Sequence, residues 1–169
     1  MINMIVKEIR DEDFTSYKKP SMVIGFPSCT FKCEREHGCK GMCQNSALAT
    51  APDIHVNTYD IVNRYLTNPI TKAIIMAGLE PFDSWKDLKA LISRFREKTK
   101  DDIVIYTGYE YDELNWGNPF DTESKIQWLW QYPNIIVKFG RFIPNQQPHY
   151  DEVLGIKLAS DNQHAERIT

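Results

Sequence analysis

The chain has 169 residues and a mass of 19.7 kDa, enough for one domain with a full-sized core. Hydrophobic residues make up 42% and charged residues 25%, an ordinary globular balance that excludes a disordered or low-complexity chain. A net charge of −3 and a pI near 5.8 exclude a global field that draws the protein to nucleic acid or an acidic membrane.

The N-terminus, MINMIVKEIRDEDF, turns acidic too early for a secretory signal. No apolar run approaches the roughly 18 residues of a membrane span. A cytoplasmic protein with reduced thiols is therefore expected. SMVIGF (21–26) reads as a buried strand stopped by Pro27, and a cysteine-rich loop follows it. TYDIVNRYLTN (58–68) reads as a helix with Ile61, Val62, Tyr65 and Leu66 on one face and Thr58 as N-cap. TKAIIMAG (71–78) is a continuous apolar run, as in a strand covered on both faces. SWKDLKALISRFREK places Trp85, Leu88, Leu91, Ile92 and Phe95 on one helical face, with Ser84 and Asp87 as a capping signal. DIVIYTG (102–108) and NIIVKFG (134–140) read as further buried strands, ESKIQWLWQY as a weaker helix, and EVLGIKL (152–158) as a last short strand. Residues 109–122 and 141–151 read as long loops. Strands alternating with helices imply βαβ units and a mostly parallel sheet, in a single domain spanning 1–169.

All four cysteines fall within CTFKCEREHGCKGMC (29–43). A disulfide framework spreads its cysteines through the chain, so clustering in one loop favours metal binding. Cys29 and Cys33 are separated by three residues, as are Cys39 and Cys43. Structural zinc pairs its thiols across about two to four residues and sets the pairs further apart. An iron–sulfur cluster held by three thiolates, with one iron left open, is the other reading of this spacing. The loop follows the first strand of the α/β pattern, AGLEP (77–81) follows the second and YTGYEYDEL (106–114) the third. In parallel α/β folds ligands bind outside the carboxyl ends of the strands. The converging segments therefore mark a site.

The plainer readings are these. Gly78 to Pro81 is also ordinary punctuation for a strand-to-helix turn. Tyr106, Tyr109 and Tyr111 alternate as strand-end packing residues do, and Trp128 and Trp130 suit packing or a partner surface. His37 reads as a solvated loop histidine, and His55, His149 and His164 have no partner visible in the sequence.

Several segments together resemble the radical S-adenosylmethionine superfamily, and specifically the activating proteins of anaerobic (class III) ribonucleoside-triphosphate reductase. CTFKC matches the first half of that superfamily's C-x3-C-x2-C signature, and CQN (43–45) resembles the CYN that closes it. AGLEP stands where the superfamily has GGEP, and IVIYTGYEYDEL (103–114) is similar to the family's YTGY segment. IIVKFGRFI (135–143) resembles VDGxF, and LASDNQHAERI (158–168) resembles the closing GSxNQR. The matches run in order from residue 21 to 168. The chain departs from the pattern in the gap between the second and third cysteines, widened to nine residues with Glu34 to Gly38 as part of an insertion. Alternatively, CKGMC is a stretched CxGC. Leu79 replaces a glycine, which makes close backbone approach less easy, and Lys138 replaces an acidic residue.

The resemblance implies an α/β fold, a partial, open (βα) barrel with a mostly parallel sheet and a minimal core over about 21–168. It implies a [4Fe-4S] cluster held by Cys29, Cys33 and Cys43, with Cys39 spare. It implies S-adenosylmethionine bound near Met42, Gly78, Leu79, Glu80, Thr107 and Asn162, with no catalytic residue beyond the cluster ligands. The expected activity is a 5′-deoxyadenosyl radical that generates a glycyl radical on a large reductase subunit, fed by a one-electron donor such as flavodoxin. No nucleic acid or membrane partner is expected. The alternatives are a radical enzyme of different substrate, or another glycyl-radical partner, and a non-catalytic domain with zinc on four cysteines.

Overall fold

The computed structural model describes residues 2–38, 41 and 43–169, with the backbone alone for His37. Chain order is β1 (Asn3–Val6), β2 (Glu8–Asp13), β3 (Ser21–Phe26), α1 (Lys32–His37), α2 (Ser46–Thr50), β4 (Ile54–Asn57), α3 (Thr58–Thr67), β5 (Ala73–Gly78) and α4 (Trp85–Arg96). It continues with β6 (Asp102–Tyr106), α5 (Tyr111–Leu114), α6 (Lys125–Leu129), β7 (Ile135–Phe139), β8 (His149–Asp151), β9 (Ile156–Leu158) and β10 (His164–Arg167). A 3-10 turn, Pro81–Ser84, leads into α4.

Six strands form one sheet in the order β10-β7-β6-β5-β3-β2. Its four inner strands are parallel, and β2 and β10 run antiparallel on the edges. The inner strands are the apolar runs of the sequence, because each must cover both of its faces. Alternation sends Met22, Ile24, Ile74, Met76, Ile103, Ile105, Ile135 and Val137 to one face, where α3, α4 and α6 pack. Val23, Ile75, Val104 and Ile136 point to the other. That second face is covered by Tyr17 and by Leu154 and Leu158 of the β8–β9 hairpin. Its lower end is tied by buried Asp102, which accepts hydrogen bonds from Tyr17 (2.9 Å), Lys19 (2.6 Å) and Arg167 (3.2 Å). Burial pushes the Asp102 carboxyl up, but the Lys19 and Tyr17 hydrogen bonds and the two positive charges hold it below the usual range.

The structure corrects several expectations. Asn57, not Thr58, caps α3, its side chain accepting from the Asp60 amide at 2.8 Å. Leu66 is exposed rather than on the buried face, since α3 turns only Ile61, Val62 and Tyr65 inward. Ser84 makes no side-chain cap to α4, because the 3-10 turn already starts the coil there. The loop 109–122 contains α5, closed by a reciprocal Glu110–Glu113 capping box. Within 152–158 only Ile156–Leu158 is strand, paired in a hairpin outside the main sheet. Among the described residues no helix is long and apolar enough to cross a membrane.

Candidate functional site

The carboxyl ends of β3, β5, β6 and β7 point the same way, and the loops they release meet there. After β3, Phe31 adopts a left-handed backbone (φ 52°) that turns the chain into α1 and puts Cys33 in its first turn. Gly38 ends the helix with φ 64°. The expected insertion at Glu34–Gly38 is thus mostly helix, and its acid has a structural task. Glu34 Oε1 accepts the Cys43 amide at 3.3 Å, folding the far end of the loop back towards Cys33. The Phe31 amide donates to Cys29 Sγ at 3.2 Å. Cys29, Cys33 and Cys43 all line one cavity of about 420 Å³, within the usual range for small-molecule sites.

The second wall is the turn after β5. Gly78 has φ 93°, and a Cβ there would stand 2.6 Å from the Phe26 nitrogen and 2.7 Å from Gly25 Cα. This close approach lets the Leu79 amide donate to Phe26 O (3.2 Å) and the Glu80 amide to Ser28 O (2.8 Å). Those two bonds continue the β3–β5 pairing up to the residue before Cys29.

Glu80 is buried and receives three donors: the Thr107 hydroxyl (2.8 Å), the Gly108 amide (2.9 Å) and the Phe82 amide (3.1 Å). Burial outweighs these bonds and raises its pKa from 4.5 to about 7. Lys138 also lines the cavity, and its Nζ donates to Gly140 O at 3.0 Å. Burial lowers its pKa to about 8, opposed by the charge of Glu80. A carboxyl whose folded pKa is raised binds a proton that the unfolded chain releases. Its contribution to stability is full below pH 4.5 and falls as pH rises towards about 7. Chemical denaturation of the metal-free protein across that window should therefore show a declining contribution that Glu80→Gln removes. An unchanged pH slope in Glu80→Gln would disprove it.

Burial pushes the Cys29 thiol up to about 11, helped by the charges of Glu80 and Asp83. Burial and the neighbouring Cys43 thiol raise Cys33 as well. These two sulfurs therefore carry protons at neutral pH in the metal-free chain, and a metal centre must displace them on binding.

Of the residues expected to bind a cofactor, Gly78, Leu79, Glu80 and Thr107 line the cavity together with the three cysteines. The Thr107 hydroxyl is committed to Glu80 and also accepts the Tyr109 amide at 3.0 Å. Asn162 is not among the lining residues. Its amide donates to Arg141 O at 2.8 Å and its oxygen accepts the Ser160 hydroxyl, so it holds the loop after β7. Its neighbour Gln163 lines the cavity instead. Met42 and Cys39 lie outside the described residues. Sequence reasoning assigned no site role to Tyr106, Lys138, Arg141 or Gln163, all of which line the cavity. Lys138 carried a signal, a lone cation inside the apolar run NIIVKFG.

Among the described residues no three His, Cys, Asp or Glu side chains converge on a single metal ion. Three free thiols that line one cavity suit a polynuclear cluster, which takes one thiolate per iron at separate corners. The donor set therefore fits an iron–sulfur cluster. No curated protein and no solved structure matches the chain. The sequence model of one family, described as "4Fe-4S single cluster domain", matches residues 22–163, from the first inner strand to the cavity residue Gln163. With three soft thiols lining one cavity and that match over most of its length, the chain belongs to the 4Fe-4S single cluster domain family.

Proposed function

We propose that the chain is a radical S-adenosylmethionine enzyme that generates a glycyl radical on a large anaerobic ribonucleotide reductase subunit. The observation that carries this reading is the sharing of one cavity by Cys29, Cys33 and Cys43 with the Gly78–Glu80 turn, Thr107 and Lys138. Cys29, Cys33 and Cys43 would hold the cluster, leaving one iron for the cofactor. So held, the cluster would supply the one-electron reduction by which the sulfonium of a bound S-adenosylmethionine is cleaved. The chain's own residues bind and orient. The main chain at Gly78 and Leu79 borders the cavity beside the thiols, where it can take the polar end of an amino-acid-like ligand. Lys138 is a buried cation available to a carboxylate, and among the described residues its acceptor is the neighbouring Gly140 main-chain carbonyl. Tyr106, Ile156 and Leu158 add apolar surface to the lining of the same cavity.

The partners are a large glycyl-radical protein and a one-electron donor such as flavodoxin, without nucleic acid or membrane. The segment YTGYEYDEL supports a protein substrate. The test begins with anaerobic reconstitution and a one-electron reductant. The protein should turn brown, bleach in air and cleave S-adenosylmethionine to methionine and 5′-deoxyadenosine. Mixed with the reductase, it should yield an electron paramagnetic resonance doublet that a glycine-to-alanine change in the partner removes. A colourless, air-stable protein that keeps zinc would overturn the reading. Cleavage without a doublet on any glycyl-radical partner would leave the enzyme class standing and move the substrate elsewhere.

A further inference from the structure

Asp83 lies in the 3-10 turn just beyond the Gly78–Glu80 segment. One of its oxygens accepts the Tyr109 hydroxyl at 2.6 Å, and the other accepts the Thr30 amide at 3.1 Å. Thr30 is the residue immediately after Cys29. A half-buried carboxylate therefore joins the loops that leave three different parallel strands, β3, β5 and β6. The Tyr109 ring extends the chain of contacts. Lys32 Nζ lies 5.6 Å from its centroid and the Arg141 guanidinium 5.5 Å. Both cations end on Glu113, at 3.3 Å from Lys32 and 2.9 Å from Arg141. Lys32 is the residue immediately before Cys33.

We propose that Asp83 and Tyr109 are positioning residues that set the Cys29–Cys33 turn against the cavity. Two features separate this from ordinary packing. The turn between the two thiols is held at both of its flanks, through the Thr30 main chain and the Lys32 side chain, and both ties meet on Tyr109. The turn also lacks a sheet or long-helix ladder of its own, since α1 is six residues long and begins from a left-handed Phe31 with no side-chain cap. Without the carboxylate the Thr30 amide loses its acceptor, and without the phenol the carboxylate loses the donor that fixes its rotamer. Burial and the Asp83 hydrogen bond raise the Tyr109 pKa, so the hydroxyl remains a donor at neutral pH. The proposal concerns the metal-free chain and stands apart from what the cofactor does once bound.

The test is amide hydrogen exchange, read by mass spectrometry on the metal-free protein, for wild type, Tyr109→Phe, Asp83→Asn, Asp83→Ala and the Tyr109→Phe/Asp83→Ala double variant. Loss of one hydrogen bond of ordinary net strength speeds local opening about three- to ten-fold. Tyr109→Phe is expected to speed exchange by that factor in the peptide spanning Ser28–Cys33 and to leave the α3 and α4 peptides unchanged. Asp83→Ala should do the same, and the double variant should equal Asp83→Ala rather than the product of the two effects. Asp83→Asn, which keeps an acceptor oxygen, should fall between wild type and Asp83→Ala. Unchanged exchange at Ser28–Cys33 overturns the proposal. So do multiplicative effects in the double variant, or an acceleration spread evenly over all peptides, which marks general destabilisation. None of these readouts depends on S-adenosylmethionine, so failure here is distinct from failure of the proposed enzyme activity.

Discussion

Single replacement of Cys29, Cys33 or Cys43 by alanine is expected to abolish assembly of the intact cluster, whereas Cys39→Ala retains it. The three thiols line one cavity, and each would hold a different corner of the cluster, so each replacement takes the ligand from one corner. Cluster loading is also proton-linked. The raised pKa values of Cys29 and Cys33 mean that protons leave as iron binds, and removing one ligand takes away part of the free energy that offsets this cost. Iron and sulfide per chain after anaerobic reconstitution, with the absorbance near the brown cluster band, provide the measurement. The loss should be close to complete in the three variants, with unchanged thermal unfolding of the metal-free proteins. A Cys39 variant that loses its cluster while the Cys33 variant keeps it would reverse the ligand assignment.

The second large effect is expected at Gly78. A side chain there meets two independent penalties. Its φ of 93° lies where L residues are strained, and its Cβ would press on the backbone nitrogen of Phe26 and on Gly25 Cα. Neither obstacle is the end of a flexible side chain, so relief requires β3 and β5 to separate. Gly78→Ala should cost about 2–4 kcal/mol, the sum of backbone strain and overpacking. Separation would also break the Leu79 and Glu80 amide bonds to Phe26 and Ser28, displacing the start of the cysteine loop. Gly38→Ala is the control. That residue also has positive φ (64°), but a Cβ there has nothing within 4 Å. It should show the strain alone, about 1 kcal/mol. Urea unfolding of the two variants distinguishes the penalties, and equal losses would sink the close-approach argument.

The inner strands were legible because burial on both faces leaves a continuous apolar run, and Ser21–Phe26, Ala73–Gly78, Asp102–Tyr106 and Ile135–Phe139 each carry one. The edges were not. Strand β2 reads EIRDED, a charged stretch that discourages pairing with another chain and so conceals its β character. Strand β10, HAER, is hidden in the same way. The short strands β1 and β4 pair only with each other and bury a few residues such as Met4 and Val6, too few for a periodic signal. At the site, the cysteine loop and the AGLEP turn were visible as motifs, because special chemistry and special backbone conformation both restrict residue type. Asn162 was placed in the cavity from the resemblance, but it braces the loop after β7, and Gln163 takes the lining position. Lys138 and Arg141 stayed unassigned because their role depends on which strand end they reach, which no local pattern records. Asp83 and Tyr109 lie 26 residues apart, and their pairing exists only once β5 and β6 are side by side.

The cover of the inner sheet face bears on the order of events during synthesis. The lining thiols lie between residues 29 and 43, but part of the wall of their cavity is built from Ile156, Leu158 and Gln163. That wall is secured by Asp151, whose side chain accepts the Leu154 amide at 2.8 Å and the Ala165 amide at 2.9 Å. A growing chain exposes its cysteines between 113 residues (Cys43 to Ile156) and 134 residues (Cys29 to Gln163) before these cavity residues are made. At a synthesis rate of about 5–20 residues per second that gap lasts on the order of ten seconds. During that interval the thiols are open to oxidants and to stray metal ions, and the apolar inner face above them is uncovered. The cavity the thiols line is therefore complete only after these later segments are made, and protection of the thiols until then falls to whatever surrounds the nascent protein.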